Sequence, residues 1–164
     1  MKAEVKIRAF RAGDEAKLAA LFHAAIHQIA AHHYSPDQIN AWASQVPDPA
    51  RFLARGLDGR QLLLAVDEQD EPLAYGDVEG DGHIDHLFCR PDMAGKGITA
   101  ILYDALEKAA TNAGITKLFT EASEPARSFF AKQGFEVIER RDFEINGVPI
   151  HNYRMEKRLD SVPR

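Results

Sequence analysis

The stretch from His83 to Thr99 constrains this chain most. His83-Ile84-Asp85-His86-Leu87-Phe88-Cys89 reads as a strand. Pro91 to Gly97 is a proline- and glycine-rich turn. Ile98, Ile101, Leu102, Ala105 and Leu106 then recur at helical spacing to about Ala113, and Gly114 ends the run. A strand that feeds a helix this way exposes the helix's first N–H groups, which lack intrahelical partners and sit at the positive end of the dipole. An anion such as a phosphate is their natural guest. Inside a helix Gly97 would cost about 1 kcal/mol relative to alanine, and Lys96 in the first turn would oppose the dipole. Both choices make sense if an anion approaches the backbone closely and Lys96 helps hold it. The bland alternative is that Gly95 and Gly97 only make a tight turn. A third reading is the dinucleotide fingerprint, since Gly95 to Ala100 matches G-x-G-x-x-A and Glu121 falls about where a ribose-binding acid would. Against it, the motif lies mid-chain, and the preceding strand alternates instead of being apolar throughout.

The other elements fall around this one. Val5 and Ile7 alternate with Lys6 and Arg8 as a first strand. Leu18, Leu21, Phe22, Ile26 and Ile29 mark an amphipathic helix from Glu15 to about Ala31. Ser35-Pro36-Asp37-Gln38 opens a second helix with the residues of a capping box. Asp48-Pro49 opens a third, ending at Gly56. Gln61–Val66 and Leu73–Val78 are strands joined by the acidic loop Asp67–Glu71, read as a solvated hairpin turn. Ile115–Glu121 is a strand, Pro125–Lys132 a short helix, and Phe135–Ile145 and Val148–Lys157 are strands joined by Asn146-Gly147. The order β-α-α-α-β-β-β-α-β-α-β-β implies an α/β fold on one mixed sheet, antiparallel first and parallel in the middle. All of residues 1–164 fit a single domain, which suits a chain of 164 residues.

Charge and cysteine content narrow the function. Twenty Lys and Arg against 25 Asp and Glu give a net charge of −5, which argues against a nucleic-acid binder or an anionic membrane surface. Cys89 is the one cysteine, so no internal disulfide forms and a cytoplasmic setting is expected. His23 and His27 are spaced i, i+4, but the Glu of a zinc-binding HExxH is absent and no third ligand stands out, so no metal is expected.

Leu87 to Thr99 resembles the central motif of the GNAT superfamily, the acetyl-CoA-dependent N-acetyltransferases: L-x-V-x-P-x-x-[QR]-x-x-G-x-[GA]. Ser123 to Phe135 resembles the family's second motif, N-x-x-A-x-x-[FL]-Y-x-x-x-G-F. The order of elements matches too, so the resemblance covers nearly the whole chain. His33-Tyr34-Ser35-Pro36-Asp37-Gln38, with Ala41-Trp42, is similar to one group of small bacterial members. The resemblance implies a GNAT-like fold. It implies an acetyl-CoA arm lying beside the backbone of Leu87, Phe88 and Cys89, added to the sheet edge like a strand. The diphosphate would lie over Gly95, Lys96, Gly97, Ile98 and Thr99, with Ser123 and Phe130 also lining the cofactor site. Three departures stand out. Ala94 replaces the motif's Gln or Arg. Thr99 replaces a small residue, and its hydroxyl could reach a phosphate oxygen. Phe130 replaces the tyrosine that many members use to protonate the departing thiolate.

The implied reaction is direct acetyl transfer to a primary amine of a small molecule or peptide, in a ternary complex rather than through Cys89. A lysine-like amine has a pKa of about 10.4, so a base must take its proton. Asp85 comes first, sharing a strand face with His83 and Leu87. The alternative is a carboxylate paired for structural reasons. His83 is second, and Glu121 is third, where the sheet would splay. Tyr34, and similarly Tyr153, could replace the missing acid, or could simply be packed aromatics. An NAD(P)-dependent oxidoreductase and a non-catalytic acetyl-CoA-binding module are the competing readings. The oligomeric state is left open, a homodimer included.

Overall fold

Residues 4–28, 33–43 and 45–159 are described by a computed structural model. Strand β1 (Lys6–Ala9) leads into α1 (Glu15–Gln28), α2 (Pro36–Ala43) and α3 (Pro49–Leu57). The expected continuation of α1 to about Ala31 lies outside the described residues. Both helix starts read from the sequence form as caps. Ser35 Oγ accepts from Gln38 N at 3.1 Å while Gln38 Oε1 accepts from Ser35 N at 2.9 Å, and Asp48 Oδ1 accepts from Ala50 N at 2.9 Å. Then follow β2 (Gln61–Val66), β3 (Pro72–Val78), β4 (His83–Ile84), β5 (Leu87–Cys89), a short 3₁₀ turn, α4 (Ile98–Asn112), β6 (Lys117–Ala122), α5 (Glu124–Lys132), β7 (Glu136–Ile145) and β8 (Val148–Arg158).

The run Leu62-Leu63-Leu64-Ala65 shows why the first sheet is covered on both sides. Leu62 and Leu64 pack with Leu18, Leu21 and Phe52 of α1 and α3. Leu63 and Ala65 pack on the other face with Leu102 and Leu106 of α4. The acidic loop is more than a solvated turn. Asp67 Oδ1 accepts the amides of Gln69 and Glu71, and Asp70 takes the Arg8 guanidinium at 2.8 Å, so the loop is tied to β1.

The expected single sheet is instead two four-stranded sheets, β1-β2-β3-β5 and β4-β6-β8-β7. The first is antiparallel, and the second holds the parallel pair β4–β6. The expected continuous strand His83–Cys89 is therefore corrected: it breaks at Asp85-His86, and its two halves pair into different sheets. The cause is Asp77, whose side chain is fully buried. Its Oδ1 accepts from both Asp85 N and His86 N, at 2.9 Å each, so these amides turn away from a strand ladder. Its Oδ2 takes Arg55 at 2.7 Å and Arg60 at 2.9 Å. The break also removes Asp85 from the strand face expected to carry it.

Removing this carboxylate strands two main-chain donors and two arginines. Asp77→Ala should cost about 3–5 kcal/mol in urea denaturation, as breaking a buried ion pair does. A change within about 0.5 kcal/mol, the range of ordinary surface substitutions, would contradict the role given to Asp77.

Candidate active site

Beyond the break, β5 bonds one neighbour, β3, among the described residues. The pairings of Leu73 with Arg90, Tyr75 with Phe88 and Asp77 with His86 direct residues 86, 88 and 90 toward β3. Alternation then turns the N–H and C=O groups of Leu87 and Cys89 the other way, toward a gap where no strand pairs with β5. A cavity of about 180 Å³ fills this gap. Leu87, Phe88, Cys89 and Thr99 form one wall, and Ser123, Ala126, Phe129 and Phe130 of the α5 region form the other. Phe130 is buried among Tyr103, Phe129 and Phe135, so it presents a hydrocarbon edge and no hydroxyl.

At one end of the gap α4 begins. Gly97 is the N-cap, at φ 80° and with no side chain to cap the helix, so the first N–H groups are left for another acceptor. This corrects the expectation that Gly97 and Lys96 lie within the first turn: both precede it, and Gly97 incurs no helix-interior cost. A Cβ at Gly95 or Gly97 would meet nothing within 4 Å, so the space in front of these glycines is open.

A second cavity, about 240 Å³, adjoins the first through the shared walls Trp42, Phe88 and Ser123. It gathers Tyr34, Asp85 and Glu121, three of the five residues named as candidate acids or bases. The fourth, His83, stands behind Glu121. Its Nε2 meets Glu121 Oε1 and its Nδ1 meets Glu79 Oε1, both at 2.8 Å, and its ring stacks on Phe119. Burial pulls the His83 pKa down, but the two carboxylates outweigh it and the value is raised. Asp85 bonds Arg55 Nη2 at 2.6 Å. Burial pushes the Asp85 carboxyl up, but Arg55 and the neighbouring imidazoles hold it below its ordinary value. Tyr34 Oη accepts from Glu124 N at 2.7 Å, at the start of α5, and its pKa is raised chiefly by burial. Tyr153 instead donates to Glu124 Oε1, which His151 also meets.

Sequence reasoning missed Asp77, His86 and Asn152. His86 lies among Phe22, Phe52 and Phe88 and bonds the Tyr75 hydroxyl at 3.0 Å. Burial, and then Arg55, push its pKa down to about 4. Asn152 Oδ1 is buried without a partner among the described residues. None of the three belongs to a short motif. The Cys89 thiol is pushed up by burial, which disfavours the thiolate a nucleophile needs. His27, half of the histidine pair, contacts the Ala43 carbonyl.

The model for the acetyltransferase (GNAT) domain matches residues 30–157. The chain belongs to the GNAT acetyltransferase family. It is 30% identical to the uncharacterized N-acetyltransferase YafP of Escherichia coli over 151 residues, 92% of this chain and 94% of that one. It is 31% identical to the peptidyl-lysine N-acetyltransferase YjaB of Salmonella typhimurium, over 88% of this chain and 92% of that one. Among solved structures, a GCN5-related N-acetyltransferase from Rhodopseudomonas palustris is 39% identical, with a TM-score of 0.87 over 97% of this chain and 99% of that one. The fold is shared with YncA of Salmonella typhimurium, solved with acetyl-CoA, at 17% identity and a TM-score of 0.73 over 99% of this chain and 98% of that one. This GNAT chain is thus an acetyl-CoA-dependent N-acetyltransferase, and the oxidoreductase reading of Gly95–Ala100 is set aside. No described helix is long and apolar enough to cross a membrane.

The two histidines should titrate in opposite directions. Ring-nitrogen NMR should show His83 protonated above its ordinary value of 6.5 and His86 neutral down to pH about 4. By linkage His83 adds stability that is full below pH 6.5 and is lost as pH rises through its raised value. His86 opposes folding as pH falls from 6.5 to about 4. Equal titration of both near 6.5 would contradict these environments.

Proposed function

We propose that this acetyltransferase binds acetyl-CoA along the outward edge of β5 and over the start of α4, and delivers the acetyl group to a primary amine held in the second cavity. The open edge of β5 carries this reading. The outward amides and carbonyls of Leu87 and Cys89 suit an amide-bearing arm added like a strand. The free N–H groups from Gly95 to Thr99 suit a diphosphate, with Lys96 beside them. Ala94, in the turn before them, supplies no side-chain donor, so the grip rests on main chain. Acetyl-CoA supplies the acetyl thioester.

In the transfer the amine nitrogen bonds to the acetyl carbon and the carbon–sulfur bond breaks. One outward amide of β5 stabilises the charge gathering on the acetyl oxygen. Glu121 is the base: it lines the amine cavity, its Oε1 is steadied by His83, and its Oε2 has no hydrogen-bond partner among the described residues. This reverses the expected order, because the Arg55-bound Asp85 is the weaker proton acceptor. Tyr34, which lines the second cavity, returns a proton to the thiolate in place of the tyrosine that Phe130 displaces. The phenol holds that proton at neutral pH. The acceptor is a lysine-like amine on a small molecule or a peptide, in keeping with the peptidyl-lysine activity named for YjaB.

Gly97→Trp should abolish stabilisation by acetyl-CoA in a thermal-shift assay while leaving the unliganded protein folded, since the new ring would enter the open space before α4. Unchanged stabilisation would contradict the diphosphate site. In a thiol-release assay Glu121→Gln should lower kcat about a hundredfold, the scale of general-base catalysis, and more than Asp85→Asn does. Full turnover in Glu121→Gln would remove Glu121 as the base.

A further inference from the structure

The amine cavity does not end at Asp85 and Glu121. Phe22, Trp42 and His86 form a wall common to it and to a wider cleft of about 780 Å³ between α2 and α3. That cleft has a different character. Arg51 and Arg55, one helical turn apart on α3, both line it. Arg55 is occupied by Asp77 and Asp85. The guanidinium of the exposed Arg51 has no ion-pair or hydrogen-bond partner among the described residues, and the one carboxylate beside it in the lining, Asp48, is turned to its helix cap. The opposite, β8 side of the inner cavity is closed by α2. Gln38 Nε2 donates to the Pro149 carbonyl at 3.0 Å, and the Tyr34 hydroxyl meets α5. A molecule reaching Glu121 from the cleft between α2 and α3 therefore passes the arginines.

The inner end has an unmet need of its own. Asn152 lines the amine cavity, and its buried Oδ1 lacks a donor among the described residues. An amine nitrogen in this cavity lies beside Asn152 while Glu121 takes its proton. Between the two ends the walls are aromatic: Phe22, Trp42 and His86.

We infer, building on the transferase reading above, that the acceptor carries a primary amine and an anionic group at opposite ends of an apolar body. The amine lies at Asn152 and Glu121, and the carboxylate or phosphate lies at Arg51. Such a molecule leaves no charge unpaired along the cleft. A simple hydrophobic amine leaves Arg51 idle, and a lysine side chain on a protein surface brings the amine without the anion.

Matched acceptors in the thiol-release assay test this: para-aminomethylbenzoate against its methyl ester and benzylamine, with a lysine-containing peptide alongside. The acid should exceed benzylamine and the ester in kcat/KM by about tenfold, the scale of one charge-assisted hydrogen bond at a partly exposed site. Arg51→Glu should invert that preference, and Arg51→Lys should keep most of it. Equal kcat/KM for acid and benzylamine, the same ratio in Arg51→Glu, or a preference for the peptide would overturn the inference and leave the transferase reading standing. If no amine turns over, binding of para-acetamidomethylbenzoate to the CoA-loaded protein decides. Binding that Arg51→Glu abolishes supports the anion site while contradicting the catalytic reading, and no binding overturns the anion site.

Discussion

One buried carboxylate shapes this molecule. Asp77 holds the amides of Asp85 and His86 on one oxygen and two arginines on the other. A charge fully removed from water is tolerated only when paired and hydrogen-bonded this completely. The arrangement stops a strand in mid-course, so β4 continues into one sheet and β5 into another. The gap between the sheets is the place where a ligand can act as the missing strand.

The same interaction reaches the chemistry. Arg55, drawn in by Asp77, also binds Asp85 and lowers its proton affinity, and it helps push His86 toward neutrality. Glu121 is left as the carboxylate of the inner cavity whose partner is a histidine rather than an arginine. In the proposed mechanism structure and reactivity are linked through one guanidinium, and the proposed base is the carboxylate that this guanidinium does not reach.

Much of this was legible in the sequence, for reasons that differ by element. Capping and turn signals are local, so Ser35 with Gln38, Asp48 with Pro49 and Asn146-Gly147 were readable residue by residue, and all three form. The glycine turn and the two family motifs pointed to a GNAT acetyltransferase. The break in His83–Cys89 was not legible. It is made by Asp77, eight and nine residues upstream of the amides it holds, and by Arg55 of α3 and Arg60 of the turn before β2, and no periodicity within the strand records a long-range partner. For the same reason the ion pair of Asp85 with Arg55, thirty positions apart, was not legible. Asn152 sits in a regular strand, where only the tertiary structure shows that its oxygen lacks a donor.

Residue-resolved amide hydrogen exchange with and without CoA tests the central claim most directly. The Leu87 and Cys89 amides should exchange rapidly in the free protein and become protected on binding, while Phe88, already bonded to β3, changes little. If CoA binds and the Leu87 and Cys89 amides gain no protection, the β5 edge is not where the arm lies, and the account built on it is wrong.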